Sequence, residues 1–292
     1  MFSTLLGLLI LGVFLGTTYG LVALGLSLIF GVQSVVNLAH GEFVMLGAYA
    51  TFFGWSVFNL HPLIATLLAV PLLFALGALI QDQLIERITH QPQVTSLILT
   101  FGLAMFLMNT AQAAFTADYR TIGYLTAPVS FGGATFAGNR VLTFAATTLA
   151  LATVLGFIKY SKWGKAIRAT SQAPNIAKAC GIDTRKVRII AFGLGAATAG
   201  FAGSFIGIMY QIFPDMGFNY LVKAFVIVVL GGLGSLAGAF VGGLIFGVVE
   251  VFGSFYLDSS TATAGAFLIL VVLLLIYPQG LFGKEDPAVG GK

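Results

Sequence analysis

Asn37, His40 and Glu42 place an amide, an imidazole and a carboxylate within six residues in VVNLAHGEFVMLGAYA (35–50), a stretch otherwise apolar or small. Side chains of these types can move protons, hold a metal or bind a polar ligand. A metal needs further donors at suitable spacing, and His61 and His90 fall in other loops, so no metal site is expected and His40 reads as a packed or interfacial histidine. Phosphate cradling has no support either. The Gly-Lys pairs Gly164-Lys165 and Gly283-Lys284 lack the following Ser or Thr of a Walker A loop, no GxxxxGK[ST] pattern is present, and neither GxSxG nor HExxH occurs. No catalytic residue is assigned. Glu250, in FGVVEVFGS, is a second isolated carboxylate in apolar surroundings.

The elements that must carry these residues are membrane helices. Of 292 residues, 58% are hydrophobic and only 8% charged, and mean hydropathy is +1.00. A spanning helix needs ~20 mostly apolar residues, and such windows occur at about 4–31, 43–60, 62–80, 94–115, 141–158, 189–213, 236–257 and 263–283. Alternating ten-residue strands of a membrane barrel are not seen, so the expected fold is all-α: a polytopic transmembrane bundle of about eight helices. The first apolar run has no basic residue before it and exceeds a signal-peptide core, so it is expected to be retained. Cys180 is the single cysteine, which leaves neither a disulfide framework nor a thiolate cluster within the chain. In hydrocarbon a charged side chain costs at least ~2.5–3.5 kcal/mol, so Glu42 and Glu250 need a reason. For Glu250 the plain reason is snorkelling or pairing with a neighbouring helix. For Glu42 it is the start of a helix, with Asn37 as N-cap and the carboxylate complementing the dipole.

Charge is concentrated. Lys159, Lys162, Lys165, Arg168, Lys178, Arg185, Lys186 and Arg188 lie in one interhelical segment that contains a single acid, Asp183. The positive-inside rule makes that segment cytoplasmic. Counting spans puts Asp82–Gln93 and the tail from Lys284 inside, with the N-terminus, Asp118–Arg140, Pro214–Asn219 and Asp258–Ser260 outside. No basic patch with interleaved aromatics exists elsewhere, so nucleic acid is not an expected partner.

Two interruptions organise the bundle. In LVKAFVIVVLGGLGSLAGAFVGGLIFGVVEV (221–251), Gly231, Gly232, Gly234 and Ser235 separate a short apolar run from a longer one. Glycine carries an extra helix cost of ~1 kcal/mol relative to alanine, so a broken or re-entrant segment is expected near 222–236. At one constant offset Ala23 aligns with Ala224, Gly31 with Gly232, Ser34 with Ser235 and Gly41 with Gly242. A true repeat would set the two breaks across a pseudo-symmetry axis, where transporters build pathways. Gly16/Gly20, Gly203/Gly207, Gly238/Gly242 and Gly243/Gly247 have the spacing for tight helix packing or a subunit interface.

In the basic segment, IRATSQAPNIAKACGIDTRKVRII offers Ser171 as an N-cap, Pro174 in a first turn, and a short helix over Asn175–Cys180 that ends at Gly181. A rigid basic projection of this kind can be an ordinary helical loop or a handle for a soluble motor subunit.

Four segments together, GLVALGLSLIFGVQSVVNLAHGEFVMLGAYA, AIRATSQAPNIAKACGIDTRKVRIIAFGLGAATAGFAG, VIVVLGGLGSLAGAFVGGLIFG and the ending YPQGLFG, resemble the H-type permeases of bacterial branched-chain amino acid ABC importers, in the same order and over nearly the whole chain. The resemblance implies one transmembrane permease domain over 1–292, with a cytoplasmic coupling loop at about 159–188. It also implies a second related permease subunit, two cytoplasmic ATPase subunits and a periplasmic or extracellular substrate-binding protein, in the inner (plasma) membrane of a bacterium. ATP and magnesium would be used by the ATPases, with no cofactor on this chain and no enzyme activity of its own. Ser171, Pro174, Asn175, Lys178 and Gly181 fall where the family carries its ATPase-docking helix. Asn37, His40, Gly41, Glu42, Gly231, Gly232, Gly234, Ser235 and Glu250 are the expected pathway residues. The family ending more often has arginine before Pro-Gln-Gly, where Tyr277 stands here. Leucine, isoleucine and valine are the implied cargo. Other neutral or acidic amino acids, urea or short amides, and a stand-alone secondary transporter coupled through Glu42 or Glu250, are the alternatives, and an intramembrane enzyme is a third class.

Overall fold

A computed structural model describes residues 2–89, 91–131, 134–257, 265, 268, 272, 275 and 280–282. The last sequence window, His90, Tyr277, Asp258–Ser260 and the tail from Lys284 lie wholly or mostly outside these residues. The described residues are all-α apart from one hairpin. The helices are α1 (Phe2–Gln33), α2 (His40–Ser56), α3 (Pro62–Gln83), α4 (Gln93–Phe115), α5 (Gly138–Tyr160), α6 (Lys162–Gln172), α7 (Pro174–Ala179), α8 (Thr184–Met209), α9 (Met216–Gly231) and α10 (Leu236–Tyr256). Six of the helical segments are long and apolar enough to cross a membrane, and α9 is a shorter apolar helix. The chain is a polytopic helical membrane protein.

These helices form because in hydrocarbon every backbone N–H and C=O must be satisfied within its own segment. Their mutual packing is decided by small residues. α1 and α10 lie side by side with glycine facing glycine: a methyl group on Gly243 would sit 2.5 Å from the Gly20 Cα, and one on Gly247 would sit 2.4 Å from the Gly16 nitrogen. The spaced glycines of the sequence are therefore occupied inside the chain. The central helix is α8, buried against α1, α2 and α3. The outer faces of α3 and α4 expose Leu68, Leu72, Ile98, Phe101 and Phe106, apolar surface that suits lipid.

Two faces are defined by polar contacts. On one, Gln33 and Gln81 exchange amide hydrogen bonds of 2.9 and 3.0 Å, Arg185 pairs with Asp82 at 2.8 Å, and Arg188 Nε donates to Glu86 at 3.0 Å. These contacts tie the ends of α1 and α3 to the start of α8, where α6 and α7 also lie. On the opposite face an antiparallel hairpin, β1 (Pro128–Phe131) with β2 (Ala134–Ala137), precedes α5, and Arg120 pairs with Ile212. The hairpin was not anticipated. The Gly132-Gly133 pair between its strands is the turn signal that apolar-window reading passes over.

Two of the expected caps are corrected. Ser171 lies inside α6, its hydroxyl donating to the Arg168 carbonyl at 3.0 Å, because Pro174 cannot prolong α6 and the chain breaks at Ala173. Asn37 does not cap α2. Its side-chain oxygen accepts from the Ala39 N–H at 3.1 Å, an Asx turn one step earlier, and Ala39 occupies the N-cap.

Candidate functional site

The first break is a re-entrant link. α1 ends at Gln33, Ser34 has φ +53°, and α2 starts at His40, whose Nε2–H donates to the Val22 carbonyl at 2.9 Å. Val22 lies about 16 Å back up α1 at 1.5 Å per residue, so residues 34–39 climb back into the bundle before α2 begins. Asn37 and His40 are fully buried, with Asn37 Nδ2 and His40 Nδ1 left without a partner. Gly41 is the close-approach residue: a methyl group there would lie 2.1 Å from the Gly217 carbonyl oxygen. Glu42, 4% exposed, faces the first turn of α9 and lines a cavity of about 480 Å³ with Asp215, Asn219 and Met105. Its carboxylate complements that N-terminus, though Oε2 has no partner.

The second break spans Gly232–Ser235. Gly232 and Gly234 have φ of +94° and +79°, conformations that side chains resist, and the Ser235 hydroxyl accepts from the Gly238 N–H at 3.1 Å to start α10. Gly231 and Gly238 interlock, since a methyl group on either would fall about 2 Å from the other's carbonyl oxygen. The break also receives the chain end: the N–H groups of Leu281 and Phe282 donate to the Leu230 and Gly231 carbonyls at 2.8 and 3.1 Å. Leu281 and Phe282 thereby cap the interrupted helix from elsewhere in the chain. Gly280, at φ +75°, makes the approach, and a methyl group there would meet the Val229 oxygen at 2.5 Å. Gly280→Ala is expected to cost about 1–2 kcal/mol, read as a lowered melting temperature in detergent.

The end of α1 touches the second break, the Gly31 Cβ position lying 3.3 Å from the Gly234 oxygen. Yet the sequence-expected pathway residues form three separate groups. Asn37 to Glu42 lie at the start of α2, with Gly41 and Glu42 against α9's first turn, Gly231 to Ser235 lie at the end of α9, and Glu250 is apart from both.

Glu250 is paired. Lys223 Nζ donates to Glu250 Oε1 at 2.6 Å and to the Tyr19 hydroxyl at 3.1 Å, with α1, α9 and α10 supplying one residue each. Tyr210, Tyr220 and Arg140 complete a charged and aromatic cluster. Sequence reading missed Lys223 by treating 222–230 as uniformly apolar. The available signal was a lysine and a glutamate of opposite sign in neighbouring apolar runs.

The basic segment forms a rigid projection. The Ser161 hydroxyl accepts from the Gly164 N–H at 2.8 Å to start α6, and Arg168 donates to the Ile158 and Lys159 carbonyls that α5 leaves open. Ile167 packs with Leu28, Val32, Ile158 and Val187, which fixes α6 to α1, α5 and α8. α7 ends as a Schellman motif, Ile182 N–H to Ala177 carbonyl and Gly181 N–H to Lys178 carbonyl, both 3.0 Å, with Gly181 at φ +82°. Pro174 opens α7, and Asn175, Ile176 and Lys178 are all exposed, Ile176 by 66%. Asp183 caps α8 by accepting from the Lys186 N–H, and that bond, with the Lys186 ammonium, holds its carboxyl below the usual range. A depressed carboxyl stabilises above its unfolded value, so this cap is intact at neutral pH and lost only in acid. No group of three His, Cys, Asp or Glu placed to hold a metal occurs among the described residues.

A family model described as branched-chain amino acid transport system / permease component matches residues 8–276. The chain belongs to this family. It is thus a permease component of a branched-chain amino acid ABC transport system, a transmembrane and non-catalytic subunit. The LivH permease protein of the high-affinity branched-chain amino acid transport system of Salmonella typhimurium is 33% identical over 94% of both chains. The LivM permease protein of the corresponding Escherichia coli system is 26% identical, covering 92% of this chain and 68% of its own. The solved structure of PsaBC from Streptococcus pneumoniae in complex with Fab shares the fold, with a TM-score of 0.51 and 15% identity over 96% of this permease and 97% of that chain. Three of the four segments singled out in the sequence lie within the residues that the family model matches.

Proposed function

We propose that this permease carries leucine, isoleucine and valine inward across a bacterial plasma membrane, as one of two related permeases driven by two cytoplasmic ATPases and fed by an external substrate-binding protein. ATP and magnesium act on the ATPases. The observation that carries the reading is the α6–α7 projection: an exposed Ile176 beside Lys178 on a short helix locked at both ends, joined through Ile167 to α1 and α8. A handle of this kind turns closure of a soluble motor into movement of the helices around both breaks. The eight basic residues of 159–188 favour a cytoplasmic position for it, with the N-terminus outside. Similarity to both LivH and LivM supports a pair of related permeases. Glu42 and the Gly231–Ser235 break are the parts of this pathway on the chain's own elements.

The test is reconstitution in proteoliposomes with a LivM-type permease, the ATPases and a binding protein encoded beside it. Radiolabelled leucine uptake should require ATP and be competed by isoleucine and valine, not by urea. Uptake that persists without ATP, or that urea alone competes, overturns the reading.

A further inference from the structure

Lys223 and Glu250 do more than neutralise each other. Their side chains are only 17% and 13% exposed, yet both face a cavity of about 430 Å³, within the size range of small-molecule sites. The pair leaves capacity unused. Lys223 Nζ spends donors on Glu250 Oε1 and the Tyr19 hydroxyl, and an ammonium has three. Glu250 Oε2 is buried with no partner at all. Arg140 brings a second cation to the same cavity, and Leu8, Leu11 and Val251 give it an apolar wall. Lys223, Tyr210 and Tyr220 also line a larger cavity of about 970 Å³ bounded by Thr121, Asn139 and Asn219, on the face that carries the hairpin. The charged cluster thus adjoins an open vestibule.

We propose that the Lys223–Glu250 pair and its cavity form a binding station for a zwitterionic aliphatic α-amino acid, which takes the substrate carboxylate on Lys223 and Arg140 and the substrate ammonium on the Glu250 carboxylate. The inference rests on the importer reading and adds the site where this subunit reads the backbone charges of its cargo. The two poles of the pair offer opposite ends to a zwitterion, and the leucine wall receives a side chain of branched carbon. A purely anionic keto acid or a purely cationic amine satisfies only one pole and leaves the other buried and unanswered.

A buried ion pair with a merely structural role tolerates joint replacement by neutral groups, whereas removal of one partner strands a charge. The double variant Lys223→Met with Glu250→Gln, in the reconstituted full complex, is therefore expected to assemble and melt close to wild type while leucine uptake falls about tenfold or more, the loss of one to two charge-assisted contacts. Double-variant uptake at the wild-type rate overturns the station. A second measurement leaves the charges in place. In Ser254→Cys, which lines the cavity, modification of residue 254 by a thiol reagent is followed by mass spectrometry. Leucine should slow it about tenfold at a concentration ten times the site's dissociation constant, and 4-methyl-2-oxopentanoate and isoamylamine should not. Equal protection by all three, or by none, sinks the proposal. A wild-type complex without ATP-driven leucine uptake fails the importer reading instead, so the two failures are distinguishable.

Discussion

Gly203→Val is expected to prevent stable folding of the permease. A methyl group at Gly203 would lie 2.0 Å from the Val44 carbonyl oxygen and 2.7 Å from its Cα, and one at Gly47 would lie 2.0 Å from the Gly200 oxygen. The obstacles are backbone atoms of α2 and α8, so no rotamer change relieves them. Overpacking costs about 1–3 kcal/mol where side chains can shift, and here two helices must separate, which also strips the Ser204 hydroxyl from the Gly47 carbonyl it reaches at 3.1 Å. The loss should reach the upper end of that range or exceed it. Gly102→Ala is the control, because nothing lies within 4 Å of its Cβ position and the helix gains about 0.5–1 kcal/mol of propensity. Fluorescence-detected size-exclusion chromatography after heating in detergent reads both. A Gly203→Val protein that melts with wild type would mean that α2 and α8 are not in contact.

Ile176→Asp is expected to uncouple the importer without unfolding the subunit. The side chain is 66% exposed on α7, so its replacement removes apolar surface from the tip and leaves the buried Ala177 and Ile167 in place. A desolvated carboxylate at a contact with a soluble partner opposes docking, and truncating interface anchors typically costs 2 kcal/mol or more, about thirtyfold in affinity. ATP-driven leucine uptake should fall by roughly that factor, with melting temperature and membrane yield unchanged. Lys178→Glu should act in the same direction and more weakly, as a rim charge does. Gly181→Val tests the same element through its backbone: φ of +82° resists a branched residue, although no atom lies within 4 Å of its Cβ position, so the helix end rather than the packing is perturbed. Normal uptake in Ile176→Asp would remove α7 from the coupling route.

The pathway residues show why burial alone misleads. Asn37 and His40 are polar, intramembrane and adjacent to a break, yet they close the start of α2 on itself and on the Val22 carbonyl. Asn37 Nδ2 and His40 Nδ1 lack partners just as Glu42 Oε2 and Glu250 Oε2 do, and what distinguishes the two glutamates is that each lines a cavity. A carboxylate on the wall of a cavity is placed to meet cargo, whereas a side chain whose other polar atom bonds neighbouring backbone is tied to the fold.

The sequence by itself determined the membrane class, the helical bundle, the break at Gly231–Ser235 and the basic segment with its short helix, because these depend on local composition. Apolar run length, glycine clustering and charge asymmetry act within one segment and need no partner. The family was also legible, through four separated segments in a fixed order. Only the tertiary structure decided which segments meet. It put Glu250 beside Lys223 and Tyr19 on three different helices, and it brought Leu281 and Phe282 back to cap α9. It also placed α2's glycines against α8 and α9. Windows of apolar residues carry no record of such meetings, because helix faces in hydrocarbon are chosen by small residues that let backbones touch and by charges that must find each other, and both depend on residues far away in the chain.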